Sequence, residues 1–340
     1  MFRRLGGLFS FQQSGLLVII LILGVVLTIK SGHHFDRLAG HEVNNFFNPS
    51  ALIQVATDTS FIAIMAVGMM MVIISGGIDL SVGSTYSLCS VLMALVYTNS
   101  THASPILALG ICCGIGLLCG LMNGIMVAKL GVHPFIITLG TMWVYRGISF
   151  VTTNAQSITV PTSLTDFAKA NLGLRADLYP LPFLITIGVT VLGAVYLTRT
   201  TWGRRIFAVG GNLEAARYAG LKITPILAGV YTIAGLLAGL AGFLGCSYYG
   251  SASSGDATGY ELYVIAAAVV GGASLTGGRG SAVGAFLGAL LIDLIRQAIQ
   301  NLHFNTNYES IIIGVALIIA VVLDRTNARF AEKRALKDRS

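Results

Sequence analysis

Apolar stretches of membrane-spanning length recur along this chain, separated by short polar breaks. A helix needs roughly 20 apolar residues to cross a bilayer, with about 17–25 tolerated. The pattern predicts about ten spans, near residues 14–30, 51–75, 82–98, 105–128, 134–153, 181–198, 224–249, 260–272, 280–300 and 309–323. The fifth stretch is broken by polar residues, and the eighth is short and ends in Gly271-Gly272. Short or Gly-interrupted spans are expected around a passage through a helix bundle. No polar stretch is long enough to build a core of its own. The predicted fold is therefore all-α, a single polytopic transmembrane helix bundle covering residues 1–340.

Lys and Arg orient the spans, because cytoplasmic loops carry the excess of positive charge. With ten spans, one side holds Arg3 and Arg4, the basic residues of the 199–222 loop, and the tail at 324–340. The other side holds only Lys30, Arg37, Lys169 and Arg175. This places residues 1–13, the 199–222 loop and both termini in the cytoplasm, and the loops at 31–49 and 154–179 outside. The first apolar run ends in Lys30-Ser31-Gly32-His33 with no small-residue cleavage site, which favours an uncleaved helix.

Composition sharpens the picture. Of the residues, 55% are hydrophobic and 10% charged, against about 25% charged in an ordinary soluble domain. Lipid must cover most of this surface. The net charge of +7 does not indicate nucleic acid, because the basic residues flank apolar runs and form no stripe on a polar face. The five Cys lie in or beside apolar runs without a CxxC pair, and read as small buried hydrophobes. Gly116, Gly120 and Gly124 repeat every fourth residue and present bare backbone on one helix face. Ala234, Ala238 and Gly242 do the same in the seventh span, and Gly284 and Gly288 in the ninth. Such faces pack helices closely in lipid.

Ionisable residues in or near spans face a cavity, pair, or reach the interface. Here they are Asp58, Asp79, Arg146, Glu261, Asp293 and Arg296. Asp293 and Arg296 are spaced to pair on one helix face. Asp79 sits in a Gly-flanked turn where its carboxylate could cap the third span or serve a functional role. Glu261 is expected at the outer mouth of the eighth span, either as a gate or as a first-turn acid facing the helix dipole. In the 199–222 loop, Gly210-Gly211 stops one element and Asn212 caps a helix of about two turns that ends at Gly220. A short capped helix held by two spans makes a rigid knob; a plain connecting turn is the other reading. The chain contains no H-E-x-x-H, no G-x-S-x-G and no phosphate-binding P-loop, so neither a catalytic set nor a metal or cofactor site is expected.

Six motifs then occur in order between Asn48 and Asp324. They are the run Ser75–Ser84 around Gly76-Gly77-Ile78-Asp79-Leu80-Ser81; Gly120-Leu121-Met122-Asn123-Gly124; Pro134–Met142 with Tyr145-Arg146-Gly147; Gly211-Asn212 with Ala215-Ala216-Arg217 and Gly220; Gly259-Tyr260-Glu261-Leu262; and Gly271–Gly280. The chain resembles bacterial ABC-importer permeases for ribose, xylose, galactose and related monosaccharides. Tyr263 stands where that family usually has Asp, and Ala273 where it usually has Thr.

The resemblance implies a permease that is not an enzyme, sits in the bacterial inner membrane, and carries a ribose-type pentose or related aldose. It implies a second permease copy, identical or paralogous, and a periplasmic or extracellular sugar-binding protein. It also implies a cytoplasmic ABC ATPase that hydrolyses the ATP, so that the permease needs no cofactor. Gly211, Asn212, Glu214, Ala215, Ala216, Arg217 and Gly220 become the coupling element for that ATPase. Asp79, Asn123, Phe135, Thr138, Thr141 and Glu261 become candidates for the translocation path, although Asn123, Thr138 and Thr141 serve equally well as helix–helix hydrogen-bond partners. The rival readings are an ion-driven secondary transporter using Asp58 or Asp293, and an ABC permease for branched-chain amino acids.

Overall fold

Local chemistry fixes where the helices begin. Asn48, Ser104, Thr200, Asn212 and Ser281 each accept a backbone N–H of the following helix through a side-chain oxygen. Pro49, Pro105 and Pro134 stand at first helical positions, where a missing N–H costs nothing. Gly131 and Gly250 end two long helices in the left-handed conformation.

A computed structural model describes residues 11–36, 40–175, 177–302, 305, 307–316, 318–319 and 322. In chain order the helices are α1 (Phe11–Lys30), α2 (Pro49–Ile74), α3 (Val82–Tyr97), α4 (Pro105–Leu130), α5 (Pro134–Thr153), α6 (Thr162–Ala168), α7 (Leu181–Arg199), α8 (Thr201–Gly211), α9 (Leu213–Tyr218), α10 (Ile223–Tyr249), α11 (Tyr260–Val270) and α12 (Ala282–Asn301). Residues 308–316 are also helical. Strands β1 (His33–Asp36) and β2 (His41–Asn44) form one antiparallel ribbon, and β3 (Ile158–Thr159) pairs with β4 (Ser251–Ala252) in another.

Among the described residues seven helices are long and apolar enough to cross a membrane: α1, α2, α4, α5, α7, α10 and α12. The expected third and eighth spans are shorter apolar helices, α3 and α11. The fifth, expected to be broken, is a continuous helix. The tenth span, the N-terminus at 1–10 and the tail from 323 lie wholly or partly outside the described residues. The 199–222 loop contains a helix the sequence reading did not foresee: α8 buries Gly203, Ile206 and Val209.

Helix α2 is the axis of the bundle. It is apolar on every side, and such a helix must be surrounded by others; Met65, Val67, Met70 and Ile73 are fully enclosed. Helices α7, α10, α11 and α12 pack around it. The outward faces of α1, α4, α5 and α7 expose Leu21, Ile106, Trp143 and Leu192, an apolar coat suited to lipid.

The tightest seam joins α4 to α10. A Cβ added at Gly116 would overlap the Gly235 carbonyl oxygen, and one at Gly120 the Tyr231 carbonyl oxygen. At Gly124 it would lie 2.6 Å from Ala228 Cα. The small residues of α10 divide among three neighbours. Gly235 and Gly239 meet α4, Ala234 lies over Gly68 of α2, and Gly242 packs on the Tyr86 carbonyl of α3. Gly284 and Gly288 pack on the carbonyls of Gly271 and Ala267. The expectation of close helix packing therefore holds, with α10 using several faces instead of one. Cys89, Cys112, Cys119 and Cys246 are buried among these helices.

Helix α11 has 11 residues, about 16 Å of helix, against roughly 30 Å of hydrocarbon. It is too short to cross a bilayer by itself. After β4 the chain turns inward: Ser87 Oγ of α3 donates to the carbonyls of Ser253 and Ser254 at 3.0 and 3.1 Å. Arg146 of α5 donates to the carbonyls of Ser254 and Asp256 at 2.7 and 2.6 Å. The Ala257 carbonyl reaches the first turn of α3, where a Cβ on Gly83 would lie 2.5 Å from it. Irregular backbone at membrane depth needs such partners inside the protein.

At the end of the bundle away from α8 and α9, Arg175 ties the β1–β2 ribbon down. Its Nε donates to Asp177 at 2.6 Å, Nη1 to Asp36 at 3.1 Å and Nη2 to Ser50 at 2.5 Å. The Arg175 guanidinium, with help from Ser50, pushes the Asp177 carboxyl down to about 2. A depressed carboxyl stabilises above its unfolded pKa and ceases to do so as pH falls through the folded value. The tie is therefore expected to hold above about pH 4 and to fail near pH 2; Arg175→Ala should give the acid phenotype at neutral pH, read as faster protease cleavage of the 33–44 hairpin. In the bundle, Gly120→Leu should overpack the α4–α10 seam, cost about 1–3 kcal/mol or more, and lower the unfolding temperature in detergent. Gly114→Leu, where a Cβ meets nothing within 4 Å, should leave it unchanged.

Candidate functional site

Helices α8 and α9 form a rigid projection at one end of the bundle. Thr200 caps α8, accepting from Gly203 N at 2.9 Å. Gly203 has no room for a side chain against the carbonyls of Tyr196 and Leu197, so α8 can fold sharply off α7. Asn212 Oδ1 accepts the Ala215 N–H at 2.9 Å and starts α9. Gly220 closes α9 at φ 80°. Leu221 N donates to Ala216 O at 3.0 Å and Gly220 N to Arg217 O at 2.9 Å, a double closure that satisfies the last carbonyls. The expected N-cap, helix and Gly stop are all present. Of the predicted coupling residues, Ala216 is buried, while Gly211, Asn212, Glu214, Ala215, Arg217 and Gly220 are exposed. The sequence reading passed over Tyr218, which is 91% exposed at the tip. An aromatic ring beside a Gly stop was the available signal.

The projection is seated on the bundle by the buried side chains of Ile206 and Val209 and by close backbone contacts. Gly278 N donates to Ile74 O at 2.8 Å, and Gly210 fits against that same carbonyl and the Gly278 amide with no space for a Cβ. Ile74 ends α2, and Gly278 lies in the turn between α11 and α12. The turns at 75–81 and 271–281, which share a Gly-Gly pattern in sequence, thus meet α8 at one point. Beside them opens a cavity of about 920 Å³ lined by Ser75, Gly76, His133, Asn212, Arg217 and Tyr231, among others.

Three of the proposed path residues converge in a buried cluster next to that cavity. The Asp79 carboxylate accepts the Ser81 N–H at 2.8 Å and its hydroxyl at 2.6 Å, bonds within the turn before α3 and not to the helix itself. Asn123 Nδ2 donates to Ser81 Oγ at 2.8 Å, and the Tyr145 hydroxyl lies 3.3 Å from Asn123 Oδ1. Thr138 Oγ1 donates to Ile78 O at 3.1 Å. Asp79, Asn123 and Thr138 are 3%, 1% and 0% exposed, so in this conformation they hold helices together and face no open space. Ser81 and Tyr145, which the sequence reading did not single out, complete the cluster. Phe135 is exposed on α5, and Thr141 bonds back to the Thr138 carbonyl.

Glu261 lies in the first turn of α11, as the first-turn reading expected. Its Oε2 sits beside Gly83 and makes no hydrogen bond. The expected i,i+3 pair is present, with Arg296 Nη1 3.8 Å from Asp293 Oδ1. Arg296 takes a second and closer partner, its Nε donating to Glu309 at 2.8 Å. That partner comes from the next helix, which i,i+3 spacing cannot show.

These features define a polytopic helical membrane protein with a stiff element outside the bilayer at one end. Over residues 51–321 the chain matches the profile of a family described as the permease component of a branched-chain amino acid transport system, and it belongs to that family of transport permeases. It is 35% identical over 317 residues to the ribose import permease protein RbsC of Escherichia coli K12, covering 92% of this chain and 93% of that one. It is 37% identical over 281 residues to the RbsC of Bacillus subtilis, covering 83% and 86%. The autoinducer 2 import system permease protein LsrD of Yersinia enterocolitica is 33% identical over 310 residues, covering 89% and 90%. No solved structure matches the chain.

Asn212→Ala should remove the α9 cap at a cost of about 1 kcal/mol, seen as faster hydrogen exchange at the amides of residues 215–218 with the bundle unchanged.

Proposed function

We propose that this chain is the membrane-spanning subunit of an ATP-binding-cassette importer that carries a monosaccharide, a ribose-type pentose or related aldose, into the cytoplasm. The observation that carries the reading is the seating of the α8–α9 projection on Ile74 and Gly278. Gly211, Asn212, Glu214, Ala215, Ala216, Arg217 and Gly220 form the surface a cytoplasmic ATPase grips. A push on α9 passes through Gly210 to the turns at 75–81 and 271–281 without a soft joint between. Those turns adjoin the cluster of Asp79, Asn123 and Thr138, so the push reaches polar groups inside the bundle. Alternating access follows if ATP binding and the loaded sugar receptor favour different packings that differ by about a few kcal/mol.

The rest of the assembly follows from this role. The ATPase hydrolyses the ATP, and the permease holds no cofactor. Two permease copies, identical or paralogous, flank the path. An external sugar-binding protein docks at the end carrying the β1–β2 ribbon. About ten spans, with both termini and the 199–222 loop in the cytoplasm, satisfy the placement of Lys and Arg in a bacterial inner membrane. The choice of sugar over branched-chain amino acid follows the relatives that match over most of the chain and are named for ribose and autoinducer 2.

In proteoliposomes with the ATPase and receptor, Gly220→Trp and Glu214→Lys should abolish sugar uptake while the ATPase still turns over. Gly220 stands at φ 80°, where a side chain is strained, and Glu214 is exposed on α9. Unchanged uptake in both variants would reject the coupling assignment. Uptake driven by an ion gradient without ATP would reject the importer class.

A further inference from the structure

The half of the bundle away from α8 and α9 holds a second polar constellation. It is built from the first turns of α2, the last turn of α10, the start of α11 and the last turns of α12. Gln54 Nε2 and the Tyr249 hydroxyl donate to Asp58 Oδ1 at 2.9 and 3.2 Å. The Tyr248 hydroxyl donates to Gln54 Oε1 at 3.0 Å. Tyr248 and Tyr249 meet edge to face at 5.3 Å, and Phe61 lies 5.8 Å from Tyr249. Behind them Arg296 stacks on Tyr263 at 5.0 Å and binds Glu309.

Two observations separate this group from ordinary helix packing. Gln54 and Tyr249 are exposed and Asp58 is partly exposed. A partly exposed carboxylate on an apolar helix is costly against lipid and borders water or protein. Asp293 is fully buried immediately behind: Thr59 donates to its Oδ2 at 3.1 Å, and its Oδ1 makes no hydrogen bond, with Arg296 still 3.8 Å away. A buried carboxylate oxygen without a hydrogen bond beside this partly exposed polar cluster has acceptor capacity for a ligand or for a shift of Arg296.

We propose that Asp58, Gln54 and Tyr249 form an outer receiving site for a neutral, polyhydroxylated ligand, with Asp293 and Arg296 behind them. It rests on the sugar-importer reading above and supplies the first station after release from the receptor. A carboxylate can accept two neighbouring hydroxyls, and an amide offers both a donor and an acceptor. A tyrosine ring offers an apolar face to the C–H side of a sugar ring. Such a set suits a sugar better than a cation, because each carboxylate already takes donors from the protein.

Ala51 lies one turn above Gln54 on the same face of α2 and is partly exposed. In Ala51→Cys permease reconstituted with its ATPase and without receptor, a membrane-impermeant maleimide added from the receptor side reads the site. Millimolar ribose, xylose, galactose or fructose, whichever the complete transporter imports, should slow labelling. Asp58→Asn in that background should abolish the protection. Tyr249→Phe keeps the ring but loses the bond to Asp58, and should raise the half-protecting sugar concentration about tenfold. If a sugar is imported but none protects, or if protection survives Asp58→Asn, the receiving site is wrong and the importer reading stands. If leucine or lysine protects and is imported while no sugar is, both fall.

Discussion

One backbone contact governs this molecule: the Ile74 carbonyl, taken by the Gly278 amide and roofed by Gly210. It joins the end of the central helix, the turn between α11 and α12, and the end of α8. Nothing larger than hydrogen fits at Gly210, so the three segments touch main chain to main chain. Side chains change rotamer under load, whereas a backbone hydrogen bond inside close packing transmits displacement directly. The α8–α9 projection is thereby an extension of the bundle core.

The same device recurs through the bilayer region. Lipid offers helices no hydrophobic reason to associate, so close approach of small residues supplies the attraction. The seams between α4 and α10 and between α11 and α12 are both of this kind. Such seams behave as rigid blocks. Rearrangement is then expected where regular helix gives way, at 75–81, 253–259 and 271–281, and these turns are where α3 and α11 become shorter than a membrane is thick.

Polar groups inside the bundle fall into two sets with opposite states. Near the α8–α9 end, Asp79, Ser81, Asn123, Tyr145 and Thr138 are enclosed and bonded to one another or to carbonyls. In the other half, Asp58, Gln54 and Tyr249 stand open and Asp293 keeps an unbonded oxygen.

The sequence by itself determined what depends on neighbours along the chain. Span positions followed from apolar length, the start and stop of α9 from Asn212 and Gly220, and the permease family from motif order. The tertiary structure alone decided distant partners. The 253–257 segment is held against α3 and α5 by Ser87 and Arg146, and Arg296 reaches Glu309 because another helix delivers that carboxylate. The register of α8 on the bundle rests on Ile74 and Gly278, far away in sequence. Hydropathy and capping are local sums, whereas pairing is settled by packing among segments that no local pattern connects.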